Sequence, residues 1–255
     1  MTATPAGMTY ADYLKLEQLL TAQQPLSDLH DEMLFIVIHQ TKELWMKQML
    51  HELALAIPLL GEDSFAEAYK ALARVSRIQS VMTLSWEVLS TLTPVDYLAF
   101  RHVLGTSSGF QSAQFRELEY RLGLKDAAYL DHYEAGTEER RRLDLALQQP
   151  SLRDASHAAL ERSGFDLGDR SVDSVAAAWL EVYRDADRWF DLYQLAEKLI
   201  DLDDALASWR HKHVLTVERI IGNRAGTGGS AGASYLRSTL DKRIFPELWA
   251  LRTAL

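Results

Sequence analysis

The chain has 255 residues, of which 47% are hydrophobic, so it can bury a sizeable core in one large domain or two small ones. Its formal net charge of −9 at pH 7 argues against nucleic acid or an anionic membrane as the main partner. The sequence has no cysteine, which excludes disulfides, thiolate metal sites, iron–sulfur clusters, c-type haem attachment and a cysteine nucleophile.

The sequence gives no sign of targeting or membrane segments. The first ten residues lack the basic and apolar regions of a signal peptide. The longest apolar runs, such as 33–38, are too short to span a bilayer. We therefore expect a soluble protein of the cytoplasm with no membrane partner.

Helical patterns fill the long stretches between the six prolines, and alternating β-branched segments are almost absent. This pattern predicts an all-α protein. Because no repeat, low-complexity segment or linker interrupts it, we expect a single helical domain over residues 1–255.

The first two predicted helices cover residues 10–20 and about 28–57. The second has Ser27 as its expected N-cap. Its opening segment, 33–38, is apolar all round, which predicts burial on every side.

A polar pair, His39 and Gln40, follows that apolar segment directly. Phe35 and His39 are four residues apart and share a helix face. His39 and the next residue, Gln40, must find polar partners or line a cavity, because a buried polar group without a partner is destabilising.

The next predicted helix, over 63–92, carries a regular apolar stripe that is typical of bundle core. Thr93 and Pro94 begin a new helix, in which Tyr97 and Arg101 share a face. This pair fits either a surface contact or a fork that grips a carboxylate.

Small residues at 105–109 end that helix, and 110–122 predicts another. The charged stretch 125–163 indicates solvated helix faces rather than a chemical site. Residues 172–201 predict one long helix rich in aromatic side chains.

Residues 209–232 combine a helix with the densest glycine run of the chain. His213 lies in the middle of the mostly apolar stripe of the helix 209–221. His211 lies about 200° round the same helix, on its polar side. The glycine run, 226–232, permits positive φ angles and close approach of the backbone to a ligand.

A core-facing histidine followed by such a loop suggests a bound prosthetic group with a polar rim. A single histidine on an apolar face is, however, more often a satisfied core residue, so both interpretations stay open at this point. The loop follows a helix rather than a strand, which excludes a dinucleotide fingerprint. It is not a P-loop either, since no Gly-Lys-Ser/Thr follows.

Six segments of the chain, taken in order, resemble the tryptophan 2,3-dioxygenase family. They are Tyr10–Leu14, His30–Trp45, Phe100–Gly105, Ser107–Ser112, Trp209–Arg219 and Gly226–Ser230. The sequence departs from the family at Phe115, where relatives often carry tyrosine, and at Ile38, where a polar residue is common. The region 125–172 is also short and divergent.

The resemblance implies one b-type haem per subunit, with His213 as its proximal ligand. It adds these residues as haem contacts: Trp86, Ser108, Phe110 and Val217. It further implies insertion of both atoms of O2 across the indole C2–C3 bond of L-tryptophan. The product is N-formyl-L-kynurenine, and the reaction is the first step of the kynurenine pathway.

For the substrate, the resemblance implies that Tyr97 and Arg101 hold the carboxylate and that Thr227 bonds the amino acid head group. It implies that His39 is the catalytic residue that accepts a hydrogen bond from the indole N–H. Whether His39 removes that proton or only positions the ring stays open. The other pocket residues that it implies are Phe35, Ile36, Val37, Ile38 and Leu104.

The resemblance also implies a homotetramer built as a dimer of dimers. An N-terminal arm, at about 8–24, would carry Tyr10, Tyr13 and Leu14 to the pocket of a neighbouring subunit.

Three other functions stay possible at this point. The first is a related haem enzyme acting on another indole derivative, and the second is a haem-based O2 sensor or carrier. The third is a helical bundle with no cofactor. A carrier would need a proximal histidine and an apolar pocket, but not Tyr97, Arg101 and Thr227 together.

Overall fold

The computed structural model describes residues 7–255, and no β-strand occurs within them. The predicted all-α fold is therefore confirmed for this part of the chain. The first six residues, on which part of the signal-peptide expectation rests, lie outside it. No helix within the described residues has a stretch both long and apolar enough to cross a membrane.

The α-helices, in chain order, are α1 (Tyr10–Leu14), α2 (Leu16–Leu20), α3 (His30–Gly61), α4 (Phe65–Leu89), α5 (Pro94–Phe100), α6 (Ala113–Leu122), α7 (Glu138–Gln148), α8 (Leu152–Arg162), α9 (Val172–Arg184), α10 (Phe190–Ile221), α11 (Ala233–Arg237) and α12 (Pro246–Ala250). Short 3-10 turns cover Arg101–Leu104, Gly109–Gln111, Ala127–His132 and Leu251–Ala254.

The centre of the bundle is α4, which packs between α3 and α10. A short turn over 62–64 joins α3 to α4 and makes them antiparallel neighbours. The apolar stripe predicted for α4 is buried along most of its length, at Leu72, Val75, Ile78, Met82, Trp86 and Leu89. Full burial of one such side chain contributes about 1.5–3 kcal/mol, so this stripe holds the three long helices together.

The N-terminal arm consists of two short helices rather than the single helix predicted over 10–20. Lys15, with a φ of 54°, ends α1 in a left-handed turn before α2 begins. Gln40 on α3 holds the arm: it donates to the carbonyl of Ala22 at 3.0 Å and accepts from the amide of Gln23. Gln40 thus has the polar partners that its position requires.

α3 begins later than predicted, with Leu29 rather than Ser27 as its N-cap. The reason is the buried carboxylate of Glu32. It accepts from the backbone N–H groups of Leu26 and Ser27, both at 2.8 Å, and from the Ser27 hydroxyl. These bonds hold the residues before the helix in an extended turn.

The prediction that 33–38 is buried on every side is wrong for the single chain. Met33 and Val37 are 40% and 38% exposed, whereas Ile38 is 7% exposed. Met33 and Val37 are four residues apart and form an apolar stripe on one face of α3. That stripe stays open because the core of this chain covers only the other side of the helix.

The long helix predicted over 172–201 is also wrong, since α9 ends at Arg184 and α10 begins at Phe190. Asp185 leaves the helical region with φ −133° and ψ 59°. Trp189, just before α10, packs on Phe165 with ring centroids 4.9 Å apart. This contact accompanies the break between α9 and α10, and helical periodicity in the sequence does not reveal it.

Two buried charges, Asp203 and Arg210, fix the middle of α10. Asp203 accepts from the backbone N–H groups of Ile244 and Phe245, both at 3.0 Å. Arg210 donates to the carboxylate of Glu119 on α6 at 2.8 Å. Because a buried charge is tolerated only with such partners, the rotation of α10 about its axis is closely determined.

The charged middle region forms α7 and α8. Glu138, Glu139 and Arg141 on α7 are exposed, as expected for a solvated helix face. Leu143 and Ala146 on the opposite side of α7 are fully buried.

Candidate functional site

The two neighbouring histidines of α10 face in different directions, as the helical pattern predicted. Trp209 and Thr216, which share the stripe of His213, are buried. His211 is exposed, and its Nδ1 donates to the carbonyl of Ala207 at 2.9 Å. His213 is therefore the histidine of α10 that faces the bundle.

Aromatic rings orient the side chain of His213. Its imidazole lies nearly parallel to the indole of Trp86, with centroids 4.3 Å apart and an angle of 12° between the planes. The ring of Trp209 is 5.2 Å away on the same helix, and Phe115 stacks on Trp209 at 5.1 Å. Each such pair contributes about 0.5–1.5 kcal/mol beyond the area that it buries.

The surroundings keep His213 neutral. Although part of the ring meets solvent, burial lowers its pKa to about 3, with a further contribution from positive charge on Lys42 and His39. A neutral imidazole offers a lone pair to a metal. Residues 7–255 contain no cluster of three or more side chains that could hold a metal ion.

His39 approaches the same region from α3. Its Nδ1 lies 2.7 Å from the carbonyl of Phe35, and because a carbonyl only accepts, Nδ1 carries the proton. Burial lowers the pKa of His39 to about 4; the bond to Phe35 opposes this shift, and positive charge on Lys42 adds to it. The Nε2 atom of the neutral ring is thus free to accept a hydrogen bond.

Phe35 connects His39 to α5. Its ring is 4.2 Å from that of His39, 5.9 Å from Tyr97 and 5.8 Å from the fully buried Phe100. Burial raises the pKa of Tyr97, although the nearby Arg101 opposes the change, so the hydroxyl stays protonated and can donate.

The glycine loop closes over the end of α5. The Nη2 atom of Arg101 donates to the carbonyl of Ala225 at 2.5 Å. The hydroxyl of Thr227 donates to the carbonyl of Ser107, also at 2.5 Å. A Cβ atom on Gly228 would lie 2.6 Å from the Cβ of Ser108, so glycine is needed there for the two segments to meet. Residues more than a hundred positions apart thereby form one polar rim.

Some of the predicted site residues lie away from this group in the single chain. Tyr10, Tyr13 and Leu14 are 75%, 73% and 39% exposed. Phe110 packs on His132 and Tyr235, with ring centroids 4.8 Å and 5.4 Å away. Their assignment to a pocket stays a prediction.

The remaining predicted contacts lie on the elements that carry the site. Val217 and Leu104 are partly buried against the core, and Ile36 is partly buried on α3. Ser108 caps the short turn that begins at Gly109.

Lys42 is a site residue that the sequence analysis missed. It is only 5% exposed, and its Nζ lies 2.8 Å from the centroid of the Trp86 ring. Burial lowers the pKa of Lys42 to about 6. Its position three residues after His39, on the same face of α3, was the signal that could have revealed it.

Glu43 has a supporting role that was also missed. Its carboxylate accepts from the hydroxyl of Ser112 at 2.7 Å and from the amide of Gln114 at 2.8 Å. These bonds attach the segment that precedes α6 to α3, and so fix the position of Ser108 relative to His39.

The chain is similar to known proteins over nearly its whole length. A family model described as tryptophan 2,3-dioxygenase matches residues 1–172 and 166–255. The chain is 61% identical to the tryptophan 2,3-dioxygenase of Caulobacter vibrioides, over 97% of this chain and 98% of that protein. It is 53% identical to the one of Bacillus thuringiensis, over 98% of this chain and 93% of that protein. For Shewanella woodyi the identity is 49%, over 97% of this chain and 91% of that protein.

The described residues define an all-α protein in which one neutral histidine, His213, is lined by aromatic rings, and a second, His39, lies on the helix α3. The chain belongs to the tryptophan 2,3-dioxygenase family. The resemblance seen in the sequence segments is confirmed.

Proposed function

We propose that the chain is a haem-dependent dioxygenase of the cytoplasm that inserts O2 across the indole C2–C3 bond of L-tryptophan. The product is N-formyl-L-kynurenine, and the reaction opens the kynurenine pathway. The shared name of the relatives supports tryptophan as the substrate. The observation that carries the proposal is the imidazole of His213, held parallel to Trp86 at 4.3 Å and near enough to His39 on α3 that, besides burial, charge on His39 lowers its pKa.

The residues around His213 fit a haem b, one in each subunit. Buried polar atoms there have no hydrogen-bond partner within residues 7–255, among them Trp86 Nε1, Trp209 Nε1 and Thr216 Oγ1. Unpartnered buried groups are rare in a finished fold and favour a missing ligand. His213 would bind the iron, with Ser108, Phe110 and Val217 as further contacts. When bound, haem supplies the redox chemistry between O2 and the indole.

Arg101 and Tyr97 would bind the substrate carboxylate. A guanidinium can form two parallel charge-assisted hydrogen bonds to a carboxylate, and Nε of Arg101 is buried without a partner among the described residues. The protonated hydroxyl of Tyr97 can donate to the same group. Thr227, whose hydroxyl donates to Ser107 in this structure, lies two residues after Ala225, to which Arg101 donates, and would bind the amino acid head group.

His39 would orient the indole ring by accepting its N–H at Nε2. A group whose pKa is about 4 is a weak base at neutral pH, which favours positioning over proton removal. Phe35 and Leu104, together with the segment 36–38, would form the apolar walls of the indole site. Correct orientation of the ring against O2 is itself a large part of catalysis.

We infer that the chain assembles as a homotetramer, built as a dimer of dimers. Its exposed apolar surface supports contacts between subunits. Met33 and Val37 form an open stripe on α3, and Tyr10 and Tyr13 project from α1. Clustered exposed apolar side chains of this kind are typical of subunit interfaces. We infer that the arm carries Tyr10, Tyr13 and Leu14 to the pocket of a neighbouring subunit, and that each subunit is a single domain.

The test is turnover by the purified, haem-loaded chain after reduction, with L-tryptophan and isotopically labelled O2. We expect N-formyl-L-kynurenine that carries both labelled oxygen atoms, and a change in the absorbance of the ferrous protein when tryptophan is added. Reversible O2 binding without product would favour a carrier or sensor. Turnover of another indole but not of tryptophan would favour a related enzyme, and no Soret band would favour a cofactor-free bundle.

A further inference from the structure

Lys42 carries a buried amine that none of the roles above uses. It lies one helical turn after His39 on the same face of α3, and only 5% of it is exposed. Its amine lies over the ring of Trp86, 2.8 Å from the centroid. The imidazole of His213 stacks on that same indole at 4.3 Å. Lys42 therefore lies near both histidines of the site, where burial and its charge lower the pKa of each.

The described part of the protein gives this amine no anion. Within residues 7–255, Nζ of Lys42 has no hydrogen-bond partner. The adjacent carboxylate, Glu43, is engaged by Ser112 and Gln114. The face of Trp86 attracts a cation, but such a contact replaces only part of the hydration that burial removes.

Among the described residues, the electrostatic surroundings of Lys42 also lack a negative charge that would pair with its amine. Burial lowers the pKa of Lys42 to about 6, so its ammonium form is disfavoured unless a negative charge pairs with it. His39 and His213, whose pKa values are lowered by burial and by charge on Lys42, contribute no negative charge. Because Nζ of Lys42 is buried without a partner among the described residues, an anionic ligand placed beside it would favour its charged form.

Haem b carries that negative charge on its propionate groups. Arg101 and Thr227 belong to the rim made by the glycine loop, where the amino acid head group is expected. Lys42, whose charge affects His213, is then available to the cofactor. We propose that Lys42 binds a haem propionate and thereby helps to hold the haem at His213, an inference that rests on the proposed function. Its flexible stem allows the amine to move from Trp86 to the edge of the bound ring.

The test measures how the side chain at position 42 affects the release of haem b and of an uncharged haem analogue from the full chain. Wild type and Lys42→Met are loaded with haem b or with its dimethyl ester, in which the propionates carry no charge. The rate at which each pigment passes to a haem scavenger is then measured. We expect Lys42→Met to release haem b about 10- to 100-fold faster than wild type, the size of a charge-assisted hydrogen bond. The ester should leave both proteins at similar rates.

Two further variants guard against a merely structural effect. Lys47→Met removes an exposed lysine from the same helix and should leave both release rates at the wild-type values. Lys42→Arg keeps a positive charge and should keep the preference for haem b over the ester. This second variant tests the charge even if Lys42→Met folds poorly.

The possible outcomes separate the two proposals. If Lys42→Met releases both pigments faster by the same factor, Lys42 acts by packing and its role at the propionate is overturned. The same follows if the wild type turns over tryptophan but shows no preference for haem b over the ester. A wild-type chain that retains neither pigment would overturn the proposed function as well.

Discussion

The imidazole of His213 lies parallel to the indole of Trp86, with centroids 4.3 Å apart and an angle of 12° between the planes. Trp86 is on α4 and His213 is on α10, so the central helix of the bundle sets the orientation of the imidazole. Because Trp86 is only 4% exposed, it cannot move without disturbing the core. The direction of the histidine lone pair is therefore a property of the packed bundle.

His213→Ala is expected to abolish haem retention, whereas His211→Ala is expected to keep it. The reason is that His213 faces the bundle while His211 faces solvent and bonds to its own helix at Ala207. The measurement is the Soret absorbance per mole of protein after expression with haem. Equal haem content in the two variants would contradict the assignment.

Arg101→Leu is expected to weaken the selection of amino acids over bare indoles. Loss of a guanidinium–carboxylate pair in a partly buried site lowers transition-state stabilisation, calculated from kcat/KM, by about 2–5 kcal/mol. Tryptophan should suffer this loss, and an indole without a carboxylate should not. Arg224→Leu, at an exposed position near the same loop, is the matched control and should leave the ratio unchanged. A uniform loss for both substrates would make Arg101 a structural residue.

Gly228→Ala is expected to raise KM for tryptophan by roughly fivefold to tenfold, the value of about one hydrogen bond. The added Cβ would lie 2.6 Å from Ser108, so the loop must move and take Thr227 with it. Gly61→Ala, at the end of α3, meets nothing within 4 Å and should leave KM unchanged. Steady-state kinetics at saturating O2 give the KM of each variant. An unchanged KM in Gly228→Ala would show that Thr227 does not bind the substrate.

The division between His213 and His211 could be read from the sequence because it depends on one helix only. The period of 3.6 residues puts them on opposite sides wherever the helix packs. The regular stripe on α4 was predictable for the same reason. Such local patterns define the faces of helices, but not what each face meets.

The parts of the site that were missed depend on contacts between distant segments. The bond from Arg101 to Ala225 joins residues 124 positions apart, so no local sequence pattern predicts it. Lys42 reads as an ordinary polar residue of a helix until α4 is packed against it. The exposure of Met33 and Val37 has the same origin, since a sequence pattern does not tell whether an apolar face meets its own chain or a neighbour.

Glu247→Gln is expected to destabilise the fold by about 3 kcal/mol at neutral pH, since it breaks a buried ion pair. Glu247 is fully buried and accepts from Arg153 at 2.7 Å and from His157 at 3.0 Å. Burial raises its pKa, but these two partners outweigh that effect and hold the pKa below its ordinary value of 4.5.

A carboxylate with a lowered pKa stabilises the fold above its ordinary pKa, and this contribution is lost as the pH falls below 4.5. The difference between wild type and Glu247→Gln should therefore shrink in acid. The difference in the free energy of unfolding is measured by urea unfolding at neutral pH and at about pH 3. Glu139→Gln, at an exposed position on α7, should behave like wild type at both values. A difference that does not depend on pH would show that Glu247 acts through packing alone.

His39→Ala is expected to reduce turnover of tryptophan strongly while the haem is retained. The Nδ1–H of His39 is held by the carbonyl of Phe35 at 2.7 Å, which leaves Nε2 as the acceptor. The hydrogen bond and the orientation that it provides are together worth about 2–4 kcal/mol, or roughly 10- to 1000-fold in rate. Haem content from the Soret band and kcat for tryptophan are the two measurements.

The substrate 1-methyltryptophan tests whether His39 acts through the indole N–H. Its methyl group removes the donor and meets the imidazole, so wild type should use it poorly. The alanine variant removes both the acceptor and the steric contact, and should therefore tolerate 1-methyltryptophan better, relative to tryptophan, than wild type does. If His39→Ala slows both substrates by the same factor, His39 does not recognise the N–H. Its role would then be to exclude water or to shape the pocket beside Phe35.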